Sequence, residues 1–326
     1  MSPEPRDRTK IVIDTDSGVD DAVAIVLAAG APEVDLLAIT TVAGNAPVGE
    51  CTRNCLLLTE LLRPDDPPIV AEGAAAPLAK ELLTAPEVHG PDGLGGELGS
   101  LPPPILAASP ATADEVMIEV ARRYPGEVVL VATGPLTNVA AALRADPDAV
   151  ALYRRVVVMG GAFYVPGNTG PVAEFNFYVD PEAADRVMNA GLPLTLVPLD
   201  ATTRSPLMHA DLSARPRHRP PLPRPERDLA AILARALDYY MRRELEESGL
   251  HGGYMHDPLA VAAAFAPEIL TVSTSAVRVT ASGEDRGRSA LASPTGGLPA
   301  EVAFDLDEEA FRTILEERVL APTFGA

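Results

Sequence analysis

The sequence predicts an α/β protein in which apolar strands alternate with helices along the chain. Residues 11–13 form a short apolar run typical of a buried strand, and the apolar run at residues 23–27 is typical of a helix. The same order recurs downstream, because residues 34–42 and residues 128–132 are apolar, β-branched runs that each precede a helical segment. In such an order the strands run parallel, so their carboxyl ends meet at one edge of the sheet.

Composition limits the classes of partner that the protein can bind. The chain has 326 residues, enough for one large α/β domain or two smaller ones, and a hydrophobic share of 47% can fill a sizeable core. The formal net charge of -20 argues against nucleic acid and against an anionic membrane surface. Residues 1–9 are polar and lack the apolar core of a secretion signal, and no apolar run approaches the ~18 residues of a membrane-spanning helix. We therefore expect a cytoplasmic protein that binds neither nucleic acid nor membrane.

The two cysteines lie on one face of a predicted helix at residues 48–62. Cys51 and Cys55 have no second pair of cysteines or histidines close enough in sequence to complete a zinc site. We predict two buried thiols rather than a disulfide. A further helix is predicted at residues 112–124, where Thr112 is the N-cap and Glu115 completes a capping box.

Four aspartates crowd into the loop that follows the first strand. Asp14, Asp16, Asp20 and Asp21 lie within eight residues of one another. Carboxylates this close raise each other's pKa, and they stay ionised cheaply only when a cation lies among them. A hard divalent cation that prefers oxygen ligands, Ca²⁺ or Mg²⁺, fits that requirement. Helix capping would account for Asp20 and Asp21 but not for the two aspartates at the strand end. The loop therefore predicts a metal site.

Two other strand ends carry polar groups towards the same edge. Asn45 follows the strand at residues 34–42, and Thr133 follows the strand at residues 128–132, where its main-chain carbonyl could face a cation. Ligands of open α/β sheets bind at the carboxyl ends of the strands. We therefore expect both residues to lie near the aspartates.

Several later segments allow more than one interpretation. The glycine-dense loop at residues 89–96 begins with His89 and is either a flexible surface loop or a loop whose backbone approaches a ligand. Glu174 and Asn176 project the same way if their segment is extended, so they could bracket a polyhydroxylated ligand or face water from an edge strand. His256 and Asp257 open a helix, where such a pair is usually a surface imidazole and a cap.

Two further segments concern the overall organisation. The Pro- and Arg-rich stretch at residues 214–227 predicts an exposed loop, since it suits neither a helix nor a central strand. Alternating segments between residues 275 and 305 predict antiparallel strands near the C-terminus.

Seven short motifs together carry a resemblance to a known family. They are Asp-x-Asp-x-Gly-x-Asp-Asp-Ala at 14–22, Thr-Val-Ala-Gly-Asn at 41–45, His-Gly-x-Asp-Gly-Leu-Gly-Gly at 89–96, Ala-Thr-Gly-Pro-Leu-Thr-Asn at 132–138, Met-Gly-Gly at 159–161, Glu-Phe-Asn at 174–176 and His-Asp-Pro at 256–258. In this order and at these spacings, the chain resembles the inosine–uridine preferring nucleoside hydrolases over nearly its whole length.

The resemblance implies an overall organisation. After a disordered tail at residues 1–9, residues 10–326 would form a single α/β domain on a mostly parallel, dinucleotide-fold-like sheet flanked by helices, with a small antiparallel C-terminal portion. It also implies a homodimer or homotetramer that hydrolyses the N-glycosidic bond of ribonucleosides in nucleoside catabolism and salvage.

The resemblance also implies a role for each motif residue. Ca²⁺ would be held by Asp16, Asp21, the main-chain carbonyl of Thr133, and Asp257. The ribonucleoside would be bound by Asp20, Asn45, His89, Met159, Asn168, Glu174 and Asn176, with His89 near the base. Asp16 would activate water and His256 would protonate the departing base. Tyr239, Tyr240 and Tyr254 are candidates for stacking on the base, whose identity the sequence leaves open.

Two rival functions are weighed against this expectation. A phosphatase of the haloacid dehalogenase type also begins with a strand and Asp-x-Asp, and there Asp14 would be the nucleophile and Asp16 the acid and base, with Mg²⁺. That alternative leaves Asp20, Asp21 and the motifs at 174–176 and 256–258 without a role. A Ca²⁺-dependent nucleoside-binding protein without turnover is the second rival, and the presence of every expected ligand and of the acid counts against it.

Overall fold

The computed structural model describes residues 8–64, 66–97, 101–213, 228–292 and 298–324. Its strands are β1 (Thr9–Thr15), β2 (Val34–Thr41), β3 (Ile69–Glu72), β4 (Val128–Ala132), β5 (Arg155–Met159), β6 (Leu194–Val197), β7 (Pro206–Met208), β8 (Gly252–Tyr254), β9 (Leu270–Val279), β10 (Ser289–Ala292) and β11 (Pro299–Leu306).

Helices connect most of these strands. They are α1 (Val19–Gly30), α2 (Val48–Leu62), α3 (Pro86–His89), α4 (Ala113–Arg123), α5 (Thr137–Ala145), α6 (Pro147–Val150), α7 (Phe175–Val179), α8 (Pro181–Met188), α9 (Leu199–Thr202), α10 (His209–Ser213), α11 (Leu229–Ser248), α12 (His256–Phe265), α13 (Glu308–Leu315) and α14 (Ala321–Phe324). A 3-10 turn at Pro267–Ile269 follows α12, and a π-helical turn at Glu316–Leu320 joins α13 to α14.

The strands form a nine-stranded sheet in the order β10-β9-β11-β6-β5-β4-β1-β2-β3. The run from β6 to β3 is parallel throughout, whereas β9 is antiparallel to both β10 and β11. This arrangement confirms the predicted fold class, including the antiparallel C-terminal portion. The strand β1 pairs with β2 on one side and with β4 on the other. Because the chain order reverses between β1 and β4, their carboxyl ends border a crevice where open α/β sheets bind ligands.

The core consists of two apolar layers, one on each face of the sheet. Ile11 and Ile13 of β1 pack in the layer that contains α1 and α12, whereas Val12 packs in the layer that contains α4, α5 and α8. Successive side chains of a strand point to opposite faces, so a strand buried on both faces is apolar at every position. The two layers bury the central strands on both faces and leave their carboxyl ends as the place for polar side chains.

Local predictions agree with the structure in most places. The helix α4 has its capping box, in which the backbone N–H of Thr112 donates to the Glu115 carboxylate at 2.9 Å. Cys51 and Cys55 are both buried and free. Thr9, assigned to the tail, begins β1, and residues 1–7 and the predicted loop at 214–227 lie outside the described residues.

The prediction of an extended segment at residues 174–176 was wrong. Glu174 is the N-cap of α7, and its carboxylate accepts hydrogen bonds from the backbone N–H groups of Asn176 and Phe177. The carboxylate thereby satisfies donors that a helix start leaves without partners, which stabilises a helical turn over an extended segment.

No helix in the described part of the chain is both long enough and apolar enough to cross a membrane.

Candidate active site

The carboxyl edge of the parallel strands opens into one cavity that collects most of the predicted site residues. Those that line it are Asp20, Asn45, His89, Thr133, Met159, Asn168, Glu174, Asn176, His256 and Asp257. They come from segments distributed over most of the chain. Asp16 and Asp21 are not among the lining residues and are buried.

Three aspartates converge on one point of this cavity. Asp20 and Asp21 lie in the first turn of α1, and Asp257 lies in the first turn of α12, which packs against α1. One carboxylate oxygen from each of the three lies within 4.8 Å of the others, and all three residues are buried. Helix N-termini carry partial positive charge, which favours carboxylates there, but two helix ends offset only part of three negative charges.

Asp21 is the most completely hydrogen-bonded member of this trio. Its Oδ2 accepts from the backbone N–H of Gly18 at 2.7 Å and from Nδ2 of Asn45 at 3.3 Å. Its Oδ1 accepts from the hydroxyls of Thr15 and Thr133. Helix capping, which the sequence suggested for Asp21, therefore accounts for the bond from Gly18 to Oδ2. Through Oδ1 the same side chain also links the ends of β1 and β4 to the acidic cluster.

Asp16 stands outside the three-carboxylate group, and its carboxylate is held by the next strand end. The backbone N–H and the Nδ2 of Asn45 donate to its two oxygens at 2.7 and 3.1 Å. Gly44 makes this approach possible, because a Cβ at that position would lie 2.1 Å from Asp16 Oδ2. Below the loop, the thiol of Cys51 donates to the main-chain carbonyl of Asp16 at 2.9 Å. Asp16 is therefore fixed on both sides.

The acidic residues of this site have no lysine or arginine partner among the residues that the structure describes. Burial, followed by the charges of neighbouring aspartates, raises the pKa of Asp20 to about 7 and raises the pKa of Asp16 and of Asp257 well above the usual range. Burial likewise raises the pKa of Asp14 to about 7, and its Oδ2 is buried without a hydrogen-bond partner among the described residues. Within that part of the chain, no lysine or arginine forms an ion pair with any of these carboxylates.

This donor set fits a hard divalent cation. The three converging side chains offer carboxylate oxygens, which Ca²⁺ and Mg²⁺ prefer, and a cation would oppose the rise in pKa by favouring the ionised forms. Thr133 lines the same cavity, and its main-chain carbonyl accepts a hydrogen bond from Asn176 Nδ2 at 2.8 Å.

The opposite wall is built by α7 and the end of β5. Both oxygens of Glu174 accept backbone N–H groups, including that of Gly161 at 3.0 Å, and burial raises its pKa to about 7. Asn176 Nδ2 also donates to the main-chain carbonyl of Met159 at 3.3 Å, so this side chain joins the ends of β4 and β5. Asn168 is exposed at the rim, and its Oδ1 accepts the N–H of Phe175.

His89 is the last residue of α3 and lines the cavity, and backbone hydrogen bonds hold the glycine-rich loop that follows it. Leu94 and Gly96 donate their backbone N–H groups to Asp92 Oδ1, and Gly95 donates to the main-chain carbonyl of His89 at 2.7 Å. The Nδ1 of His89 accepts the backbone N–H of Val19 at 3.1 Å, so the ring hydrogen is on Nε2. Burial, followed by the charge of His256, lowers the pKa of His89 to about 3 and keeps the ring neutral.

Tyr240 is the tyrosine that joins this wall. Its ring stacks on that of His89 with centroids 5.6 Å apart and an interplanar angle of 14°. Its hydroxyl donates to the main-chain carbonyl of Tyr254 at 3.1 Å. Tyr239 points elsewhere, with its hydroxyl 3.2 Å from the main-chain carbonyl of Pro86.

His256 is half-buried at the start of α12, beside the acidic cluster. Its Nδ1 lies 2.7 Å from Oγ1 of Thr202, and its ring contacts that of Tyr254 at 5.6 Å. Burial lowers its pKa to about 4. The surface imidazole that the local His-Asp pattern favoured is therefore a cavity residue, and the sequence did not indicate its partner Thr202.

Sequence reasoning missed several other lining residues. These are Ala85, Val88, Thr169, Phe175, Glu244 and Glu247. The spacing of Glu244 and Glu247 after Tyr240 places all three residues on one face of α11. That spacing could have indicated a shared site, but an amphipathic surface helix has the same pattern.

Comparison with known proteins gives one consistent result. The family model described as inosine-uridine preferring nucleoside hydrolase matches residues 11–313. The pyrimidine-specific ribonucleoside hydrolase RihA of Klebsiella pneumoniae is 40% identical, over 95% of this chain and 97% of that protein. A plant nucleoside hydrolase structure superimposes with a TM-score of 0.87 at 34% identity, covering 96% of this chain and 99% of the other. The purine-preferring ribonucleoside hydrolase of Gardnerella vaginalis superimposes with a TM-score of 0.86 at 30% identity, covering 97% and 100%.

The family match spans residues 11–313, and these relatives are 30 to 40% identical over nearly the whole chain. The match therefore includes every segment that lines the cavity at the strand ends. The chain belongs to the inosine-uridine preferring nucleoside hydrolase family, whose members are hydrolases acting on N-glycosyl compounds.

Proposed function

We propose that this protein is a Ca²⁺-dependent hydrolase that splits ribonucleosides into ribose and a free base. One observation carries the proposal: buried carboxylates without lysine or arginine partners in the described part of the chain converge beside two imidazoles at the carboxyl edge of the sheet. A carboxylate cluster suits a cation and a developing positive charge, and imidazoles suit a departing base.

The cation ligands would be Asp16, Asp21, the main-chain carbonyl of Thr133, and Asp257. Their support is the all-oxygen donor set and the proximity of Asp21 and Asp257 within the cluster of three carboxylates. Ca²⁺ accepts more oxygen ligands and less regular geometry than Mg²⁺, which suits donors from three separate segments. When bound, Ca²⁺ would hold the ribose diol and lower the pKa of a bound water.

Asp16 is proposed as the base that takes a proton from the attacking water. The two N–H donors of Asn45 hold its carboxylate in one orientation, so little entropy is lost when water arrives. A positioned general base contributes about 10²–10⁴-fold to a rate.

The sugar would lie between two polar walls. Asp20 and Asn45 face it from one side, and Asn168, Glu174 and Asn176 face it from the other. Hydrolysis of an N-glycosidic bond develops positive charge on the ribose ring, and buried carboxylates such as Glu174 stabilise that charge. The network of backbone donors around Glu174 keeps its oxygens in place while the charge develops.

The base would leave towards the imidazoles and Met159. His256 is proposed as the acid for the departing nitrogen, and His89 offers an Nε2–H donor to a base acceptor because its Nδ1 is occupied by Val19. Tyr240 supports the His89 ring by stacking. A nucleobase anion is a poor leaving group, so a donor at this position has a direct effect on the rate.

Pyrimidine ribonucleosides are the proposed first substrates, since the relative from Klebsiella pneumoniae at 40% identity is described as pyrimidine-specific. The purine-preferring relative from Gardnerella vaginalis is 30% identical, so purine ribonucleosides form the comparison set. The homodimer or homotetramer and the cytoplasmic location stay predictions.

The test is release of reducing sugar by the purified protein with Ca²⁺ from uridine, cytidine, inosine, guanosine and adenosine, with p-nitrophenyl riboside as a substrate whose leaving group needs no proton. We expect ribose from at least one pyrimidine nucleoside, loss of activity on prolonged chelation, and recovery with Ca²⁺. Tight nucleoside binding without ribose release would instead favour the non-catalytic binder. Phosphate release from an aryl phosphate would favour the phosphatase.

A further inference from the structure

Thr202 has no role in the expected site, yet its hydroxyl lies within hydrogen-bond distance of the His256 imidazole. It is the last residue of α9, it is fully buried, and its Oγ1 lies 2.7 Å from the Nδ1 of His256. The two residues are far apart in sequence and belong to different helices. A contact of this length is a full hydrogen bond, and its direction decides which nitrogen of the imidazole carries the hydrogen.

The direction follows from counting hydrogens. A threonine hydroxyl has one hydrogen, and in a helix it usually donates to the carbonyl four residues earlier, as Thr203 does to Leu199 at 2.7 Å. Thr202 makes no such bond among the described residues, where its only side-chain hydrogen bond is to His256. A buried hydroxyl that left its hydrogen without an acceptor would cost free energy, so Thr202 donates to Nδ1. The ring hydrogen of His256 is then on Nε2.

The backbone around the pair keeps this geometry. The hydroxyl of Ser205 donates to the main-chain carbonyl of Thr202 at 2.7 Å, and the N–H of Met255 donates to the carbonyl of Ser205 at 3.2 Å. Just beyond, β7 and β8 pair antiparallel, with Pro206 opposite Tyr254. The end of α9 and the start of α12 are therefore joined by direct bonds, and the distance between hydroxyl and imidazole is set by backbone.

We propose that Thr202 is a positioning residue that donates its hydroxyl hydrogen to Nδ1 of the neutral His256 ring and so presents Nε2–H to the departing nucleobase as a hydrogen-bond donor. That hydrogen bond stabilises the negative charge that develops on the base, and solvent supplies the proton once the bond to ribose has broken. No described residue occupies Nε2, and His256 lines the cavity. The inference rests on the proposed function, because it assigns a donor to the leaving group of that reaction. It predicts that the Thr202 hydroxyl raises the rate of hydrolysis only for substrates whose leaving group needs a hydrogen-bond donor.

Two substitutions separate the hydroxyl from the shape of the side chain. Thr202→Val keeps the branched shape and removes the hydrogen bond, while Thr202→Ser keeps the hydroxyl. Thr203→Val removes the neighbouring hydroxyl, which bonds within α9 and does not touch His256. We expect Thr202→Val to lower kcat for uridine about 10- to 100-fold with little change in KM. Activity on p-nitrophenyl riboside should stay within about 3-fold.

Rescue and spectroscopy complete the test. Thr202→Ser should recover most of the uridine activity, and Thr203→Val should behave as wild type. In the ¹⁵N spectrum of the histidine side chains, the resonances of His256 are identified because they disappear in His256→Ala. In the wild type, those resonances should show that Nε2 carries the ring hydrogen. An unprotonated Nε2, or equal losses on both substrates in Thr202→Val, overturns the proposal. The spectrum does not need turnover, so failure of the proposed function is visible separately as absence of ribose release by the wild type.

Discussion

Neutralising Asp257 should stabilise the metal-free protein while removing its response to calcium. Asp20, Asp21 and Asp257 bring one oxygen each within 4.8 Å of the others, so at an effective dielectric constant of about 20 each ionised pair repels by about 3 kcal/mol. Asp257→Asn removes two of the three pairs. Because the pKa of Asp257 is already raised, chiefly by burial, the cluster avoids part of this cost by keeping protons. We expect a net gain of ~2 kcal/mol in chelator at pH 7.

The sign of the pH dependence follows from the same shift. A carboxylate whose folded pKa lies above its unfolded value loses its stabilising contribution as pH rises. The pKa values of Asp14 and Asp20 are raised to about 7 and that of Asp257 is raised well above 3.8, so the contribution of these carboxylates to metal-free stability should fall as pH rises between about 4 and 8. The lowered pKa values of His89 and His256 oppose that fall below about pH 6.5. Asp257→Asn removes one of these groups and should give a shallower fall.

Thermal unfolding with and without Ca²⁺ measures both effects. At about 2 °C per kcal/mol, Asp257→Asn should raise Tm by roughly 4 °C in chelator. Saturating Ca²⁺, at roughly 1,000 times its Kd, should add about 4 kcal/mol to the wild type and much less to the variant. Asp285→Asn is the control, since Asp285 is exposed and, among the described residues, its side chain pairs with Arg288 alone, at 3.3 Å, where losses are within ~1 kcal/mol. The reasoning would be refuted if Ca²⁺ left the Tm of the wild type unchanged and Asp257→Asn had a lower Tm than the wild type in chelator.

Three further predictions concern turnover. Asp16→Ala should lower kcat for uridine by at least about 10²-fold, because it removes the proposed base. His256→Ala should reduce hydrolysis of uridine far more than hydrolysis of p-nitrophenyl riboside, whose leaving group needs no proton. Glu244 lines the cavity one helical turn, ~6 Å, beyond Tyr240, so its carboxylate should favour the amino group of cytosine over the carbonyl of uracil. Glu244→Gln should therefore lower the cytidine-to-uridine ratio of kcat/KM by about 10-fold.

Each of these measurements has an outcome that contradicts it. Near wild-type kcat in Asp16→Ala would remove its role as base, and equal losses on the two ribosides would remove His256 as acid. An unchanged cytidine-to-uridine ratio in Glu244→Gln would place the distal edge of the base elsewhere. Glu246→Gln, an exposed neighbour that pairs with Arg243 and does not line the cavity, is the control for charge.

The sequence alone predicted the features that depend on near neighbours. Apolar runs such as residues 128–132 predicted strands, because a run buried on both faces must be apolar throughout. Thr112 and Glu115 predicted the start of α4, since a capping box involves only four residues. The acidic loop after β1 predicted a cation site, because like charges held close together by the chain itself need a counter-charge.

Only the tertiary structure decided which distant groups meet. Asp257 reaches Asp20 because α12 packs on α1, and Thr202 reaches His256 because β7 pairs with β8. The sequence pattern predicted an extended segment at Glu174, but Glu174 instead caps α7 through hydrogen bonds to the backbone N–H groups of Asn176 and Phe177. Local patterns constrain φ and ψ and which side of an element is apolar, whereas contacts between elements depend on strand order and helix packing. Local sequence therefore indicates which chemical groups are present, and the tertiary structure determines which of them lie close enough to act together.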